Sequence, residues 1–189
     1  MLLQTGTSLD AAGNGIARLG ARIGISRPLL GVLAFLAALV SAALIIVGAF
    51  PLAAATGALG CVLALGGAQA SGRFAVMLAV LENVAQSVLA IAFALAEPGL
   101  AVLPALLFLG GVASAYSAAL ARAPRLSASG EPQHDLILIA LAWRGTIVLA
   151  CIWPSLFPLF AILGGALGLL ITGVRIAAML EDALSNPLD

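Results

Sequence analysis

The sequence predicts an all-α integral membrane protein, six transmembrane helices preceded by an amphipathic helix that lies at the membrane interface. Three observations carry that prediction. The 189 residues are 63% hydrophobic and only 8% charged, with a mean hydropathy of +1.20, more apolar surface than a soluble domain of this length can enclose. The apolar residues form six runs separated by helix-breaking chemistry. The arginines, finally, fall on one side of six crossings.

The order along the chain begins with a polar stretch at residues 1–28, read as an N-terminal cytoplasmic or interfacial segment. It lacks the basic, apolar, small-residue order of a cleaved signal peptide, so nothing is expected to be removed. Leu9, Ile16 and Ile23 recur at heptad spacing with Ala12 and Leu19 between them, while Asp10, Asn14, Arg18 and Arg22 fall elsewhere on the wheel. That pattern predicts an amphipathic helix, with Ser8 as N-cap and Gly24 as its stop, lying along the headgroups rather than spanning them.

The transmembrane domain is expected at 29–180, with crossings at 29–50, 52–70, 74–96, 99–121, 134–153 and 156–179, and a cytoplasmic tail at 181–189. At about 1.5 Å per residue each run can cross a core of about 30 Å, the second only just. Pro28 suits a first helical turn. Phe50-Pro51, the Ala70–Arg73 turn, Glu97-Pro98-Gly99, the polar loop 122–135 and Trp153-Pro154 supply the breaks.

Of the eight cations, Arg18, Arg22, Arg27, Arg73, Arg122, Arg125 and Arg175 share one side under this count. The positive-inside rule makes that side cytoplasmic and puts both termini there. The opposite side holds Phe50, Trp153 and Phe157, read as an aromatic belt. Every basic residue is Arg and none is Lys, which with the alanine load points to a GC-rich bacterial genome and hence a bacterial inner membrane. Net charge is zero, and no basic surface for nucleic acid is expected.

The exceptions are inside. Arg144 lies ten residues from His134 at the start of the fifth crossing, and Glu82 nine residues from Arg73 at the start of the third. Both therefore sit roughly 15 Å deep. A lone charge in hydrocarbon costs about 3 kcal/mol or more, so the sequence predicts a Glu82–Arg144 ion pair, with Asn83 and Gln86 available to its remaining donors. Its role reads equally as a substrate, proton or gating site and as a clamp that sets helix register. Gln69 reads as a solvated helix end, and His134 as a surface residue without the clustered partners a metal needs. Arg175 and Arg73 are candidates for lipid phosphate. Cys61 and Cys151 lie in apolar runs and read as small buried hydrophobes. Gly60 with Ala64, and Gly164 with Gly168, have the spacing of close helix contacts, within the chain or in a homodimer.

Several runs resemble one family. IGISRPLLGVLAFLAALVSAAL looks like the first crossing of the CDP-alcohol phosphatidyltransferases, FALAEPGLAVLPALLFLGGVASAYSAALA like the third-to-fourth connection of some bacterial members, and SLFPLFAILGGALGLLITGVRIAAML like their last helix. The resemblance implies their bundle and their activity, phospholipid synthesis by displacing CMP from a CDP-linked donor. The family's signature, DxxDGxxAR(x8)GxxxDxxxD, is mostly missing. Laid ungapped with Glu82 and Gln86 at its last two positions, it falls on Cys61, Ala64, Leu65, Ala68, Gln69 and Leu78, and only Ala68 is retained. No Asp occurs between Asp10 and Asp135 to offer another register.

A lone carboxylate with amides does not make a two-metal site. The run Arg144-Gly145-Thr146-Ile147 also stands where the bacterial subgroup often has acid-Gly-Thr-acid. Glu82, Gln86 and Gln69 are thus expected to be remnants, with no catalytic residue, metal or other cofactor. The implied role is non-catalytic: binding membrane lipid, or serving as a structural subunit of a homodimer or a heteromeric membrane partner. A divergent phosphotransferase using Arg144 and Arg175, and a small transporter or channel, are the alternatives.

Overall fold

The computed structural model describes residues 2–67, 73–96, 99, 101–111, 113 and 134–185. Among these the chain is helical without a strand. The elements are α1 (Leu2–Arg22), α2 (Arg27–Ile46), α3 (Phe50–Gly67), α4 (Arg73–Ala96), α5 (Ala101–Gly111), α6 (His134–Ile152), a 3-10 turn at Pro154–Leu156 and α7 (Phe157–Ser185). α2, α3 and the stretch Pro154–Val174 are long and apolar enough to cross a membrane, and Val80–Ala96, Ala101–Gly111 and Trp143–Ile152 are shorter apolar stretches.

Two turns follow directly from glycine. α1 stops at Arg22 because Gly24 adopts φ 79°, letting its amide reach the Ala21 carbonyl and that of Ile25 reach Gly20. α2 ends the same way at Gly48, φ 75°. This moves the expected break. Phe50-Pro51 is not the interruption but the first turn of α3, where a proline lacks only an amide that would have no helical partner. Ser8 likewise lies inside α1 rather than capping it, since the helix starts at Leu2. α7 runs on to Ser185, so Glu181 and Asp182 extend a helix instead of beginning a tail. The loop 122–135 up to Gln133, with Arg122, Arg125 and Gln69, lies outside the described residues, as does most of 112–121.

Contacts fix the directions of the helices. Gly31 near the start of α2 lies against Leu78 near the start of α4, so these two are parallel. Gly67 at the end of α3 abuts Gly31, and Ser41 Oγ donates to the Ala53 carbonyl at 2.8 Å, so α3 returns antiparallel to α2. Gly57 meets Val148 and Gly60 meets Arg144, which sets α6 antiparallel to α3. Gly165 and Gly168 meet Leu107 and Gly111, so α5 and α7 run together. Phe93 near the end of α4 stacks on Phe157 at the start of α7, so α7, and α5 with it, run against α4, and successive helices from α2 to α7 alternate in direction.

The interior is built from small residues, chiefly Ala34, Ala38, Ala42, Ala53, Ala85 and Ala90, while leucines such as Leu103 and Leu170 are exposed. That is the polarity of a bundle whose outside is meant for an apolar solvent, with close contact supplied by small side chains. An aromatic cluster fills the end where α4 finishes: Phe93 stacks on Phe157 with centroids 4.2 Å apart and on Phe50 at 6.1 Å. Phe157 is therefore buried core and not a belt residue, because its ring closes the gap between α4 and α7. Trp153 is exposed. The Gly60 and Gly164–Gly168 faces are filled within the chain, by Arg144 and by α5.

The α5–α7 contact gives a direct test. A methyl group at Gly165 would lie 2.6 Å from the Leu107 carbonyl oxygen, whereas one at Gly173 meets nothing within 4 Å. Gly165→Ala is expected to cost about 1–3 kcal/mol in a detergent unfolding titration. Gly173→Ala in the same helix is expected to be neutral or to gain up to about 1 kcal/mol.

Candidate functional site: a buried guanidinium–carboxylate pair

Four helices converge on one ion pair. On α4, Glu82, Ala85, Gln86, Leu89 and Phe93 recur at helical spacing and are buried together, so the polar pair Glu82/Gln86 extends the inward face rather than interrupting it. On α6, Arg144, Ile147 and Cys151 form the matching buried face. Arg144 is 3% exposed.

The guanidinium uses each of its nitrogens. Nε donates to Glu82 Oε1, Nη2 donates to Glu82 Oε2 at 2.6 Å, and Nη1 donates to the Ala34 carbonyl of α2 at 3.3 Å. Gln86 Nε2 adds a bond to Glu82 Oε1 at 2.8 Å from the next turn of the same helix. Both carboxylate oxygens are thus engaged in a fork-to-fork arrangement. Asn83, half-buried, stands outside this network among the described residues. Its carbonyl accepts from Ser87 Oγ at 2.9 Å.

Room for the guanidinium comes from α3. A methyl group at Gly60 would lie 2.6 Å from Arg144 Nη1 and 3.5 Å from the Ala34 carbonyl oxygen. Gly60 is therefore the floor of the seat, a role its spacing with Ala64 does not reveal. Behind Arg144, Trp143 Nε1 donates to the Gly164 carbonyl at 3.3 Å and its ring meets Phe108 edge-on, centroids 6.5 Å apart. One short stretch of α6 thereby reaches α2, α3 and α4 through Arg144 and α5 and α7 through Trp143.

Chemically the seat is closed. The positions that would carry the metal ligands of the signature hold Cys61, Ala64, Glu82 and Gln86, a thiol, a methyl, a carboxylate and an amide. That carboxylate is already bound on both oxygens by a cation. This donor set does not fit a pair of divalent ions, which need several carboxylates at once. Among the described residues no group of three or more His, Cys, Asp or Glu gathers where it could hold a metal. The backbones of Arg73 and Arg175 lie at the start of α4 and within α7, and His134 opens α6.

No family model, curated protein or solved structure matches the chain.

The pair is expected to behave as a unit. Glu82→Gln alone or Arg144→Met alone strands a buried charge and should cost about 3–5 kcal/mol, while the double variant should be far less harmful than the sum. Chemical unfolding in detergent micelles measures the cycle, and strictly additive losses would mean that the two side chains do not act together. Gly60→Ala, which displaces the guanidinium, should lose roughly 1–3 kcal/mol, and Gly145→Ala, with open space around it, should lose nothing.

Proposed function

We propose that this chain is a six-crossing protein of a bacterial inner membrane, with both termini cytoplasmic. Its bundle is of the CDP-alcohol phosphatidyltransferase type, and its catalytic centre is replaced by the Glu82–Arg144 pair. Its role is non-catalytic: it binds membrane lipid and serves as a structural or partner subunit. The observation that carries this reading is the bidentate pairing of Glu82. A carboxylate that holds metal or accepts a proton from an attacking hydroxyl must turn its lone pairs to that ligand, and both oxygens here are turned to Arg144.

The alternating directions of α2 to α7 support the six crossings. The ends that meet at the starts of α2, α4 and α6 include Arg27 and Arg73, and those arginines support a cytoplasmic assignment for that side.

Purified protein incubated with CDP-diacylglycerol, a set of candidate alcohols and Mg²⁺ or Mn²⁺ is expected to release no CMP. Release that depends on Glu82 would overturn the non-catalytic reading. Compartment-specific reporters fused to each terminus are expected to report the cytoplasm at both, and a split result would remove the six-crossing count.

A further inference from the structure

α1 has three faces where an interfacial helix needs two. Gly13, Ala17 and Gly20 are buried and form the seat on α2 and α3. A methyl at Gly20 would lie 3.2 Å from Leu30, and one at Gly66 of α3 would lie 2.8 Å from Ile16. Beside this strip, Leu19, two turns on from Ala12, is 62% exposed, and Ile23, in the turn just past Arg22, is 73% exposed. On the remaining face, one turn apart, are the exposed side chains of Arg18 and Arg22. Arg18 Nε donates to the Asn14 carbonyl at 3.3 Å, which lays the side chain along the helix. Exposed Arg27 opens α2 just beyond.

Docking uses Ala17, Gly20 and Ile16, so Leu19 and Ile23 are spare. Two branched aliphatics held outward beside two cations fit one occupant. A phospholipid offers acyl chains to the first strip and an anionic phosphodiester to the second. Free phosphate would use the arginines and leave the aliphatics unexplained, and an acidic soluble partner would leave them facing water. The close seat at Gly20 and Gly66 keeps the arginines at a fixed place by the starts of α2 and α4, so the site is built into the fold.

We infer that Arg18 and Arg22 form a binding site for anionic phospholipid, with Leu19 and Ile23 against its acyl chains. This rests on the membrane reading above and names the lipid class. It does not depend on whether the Glu82 centre is inactive.

Native mass spectrometry of the full chain in detergent, titrated with phosphatidylglycerol and with phosphatidylcholine of the same acyl chains, tests it. The anionic lipid is expected to bind at least about tenfold more tightly. Arg18→Gln with Arg22→Gln is expected to remove about twentyfold of that affinity, at roughly fivefold per arginine, and to leave phosphatidylcholine unchanged. Arg18→Lys with Arg22→Lys should keep most of the preference, and both double variants should melt like the parent because the side chains are exposed. Equal retention of the two lipids, or a preference that survives the glutamines, overturns the site. Displacement of the lipid by inorganic phosphate also overturns it, in favour of a free-anion site. CMP release reads the Glu82 centre and lipid preference reads α1, so either can fail alone.

Discussion

A guanidinium in a mostly apolar bundle must be given a charge to face, an acceptor for each remaining nitrogen and a space of its own shape. Arg144 receives all three from different helices: Glu82 from α4, the Ala34 carbonyl from α2 and the missing side chain of Gly60 from α3. The cost of stranding either charge makes that arrangement selective. A bundle in which α3 slid by one residue would put a side chain where Nη1 now lies. One in which α4 slid would aim Glu82 away. Apolar packing of alanines tolerates such slips, because one small residue resembles the next. The ion pair does not.

The small residues have a complementary job. Between helices in hydrocarbon there is little hydrophobic gain from contact, so cohesion comes from close approach and the few polar bonds available. Gly67 against Gly31, and Gly165 and Gly168 against α5, bring backbones together where any larger residue would hold them apart. Ser41 and Trp143 then spend their donors on carbonyls of neighbouring helices. Leucine and isoleucine, which would be the core of a soluble protein, are mostly outside. The same composition that excludes a soluble fold therefore also explains why the interior is so finely graded in size.

Much of this is legible in the sequence, for identifiable reasons. The helices are apolar runs ended by glycine, proline or charge, and a fixed rise per residue turns distance from Arg73 and His134 into depth, so the level of Glu82 and Arg144 can be counted. What cannot be counted is anything that depends on which helices touch. Nothing local marks Gly60 as the floor of the arginine seat or Ala34 as a lender of its carbonyl. Phe157 looks like an interfacial aromatic until α4 brings Phe93 to it. Gly48 is less conspicuous than Phe50-Pro51, although a glycine free to take positive φ ends a helix and a proline in the first turn begins one. In α1 the wheel gives an apolar and a polar face. The third, Gly13–Ala17–Gly20, is hidden because glycine and alanine carry almost no hydropathy signal.

These two regions divide the chain's polar chemistry between them. Inside, the two charged groups are committed: Glu82 to Arg144 and Gln86, Arg144 to Glu82 and Ala34. A ligand entering there would have to replace a desolvated bidentate pair with contacts at least as good, in a space that a single methyl group would already overfill. At α1 the reverse holds. The helix is seated by residues without functional groups, and its arginines and aliphatics are left pointing outward. A fold that spends its interior charges on register and keeps the arginines of α1 exposed leaves its available recognition chemistry on the outer face of that helix rather than in a pocket.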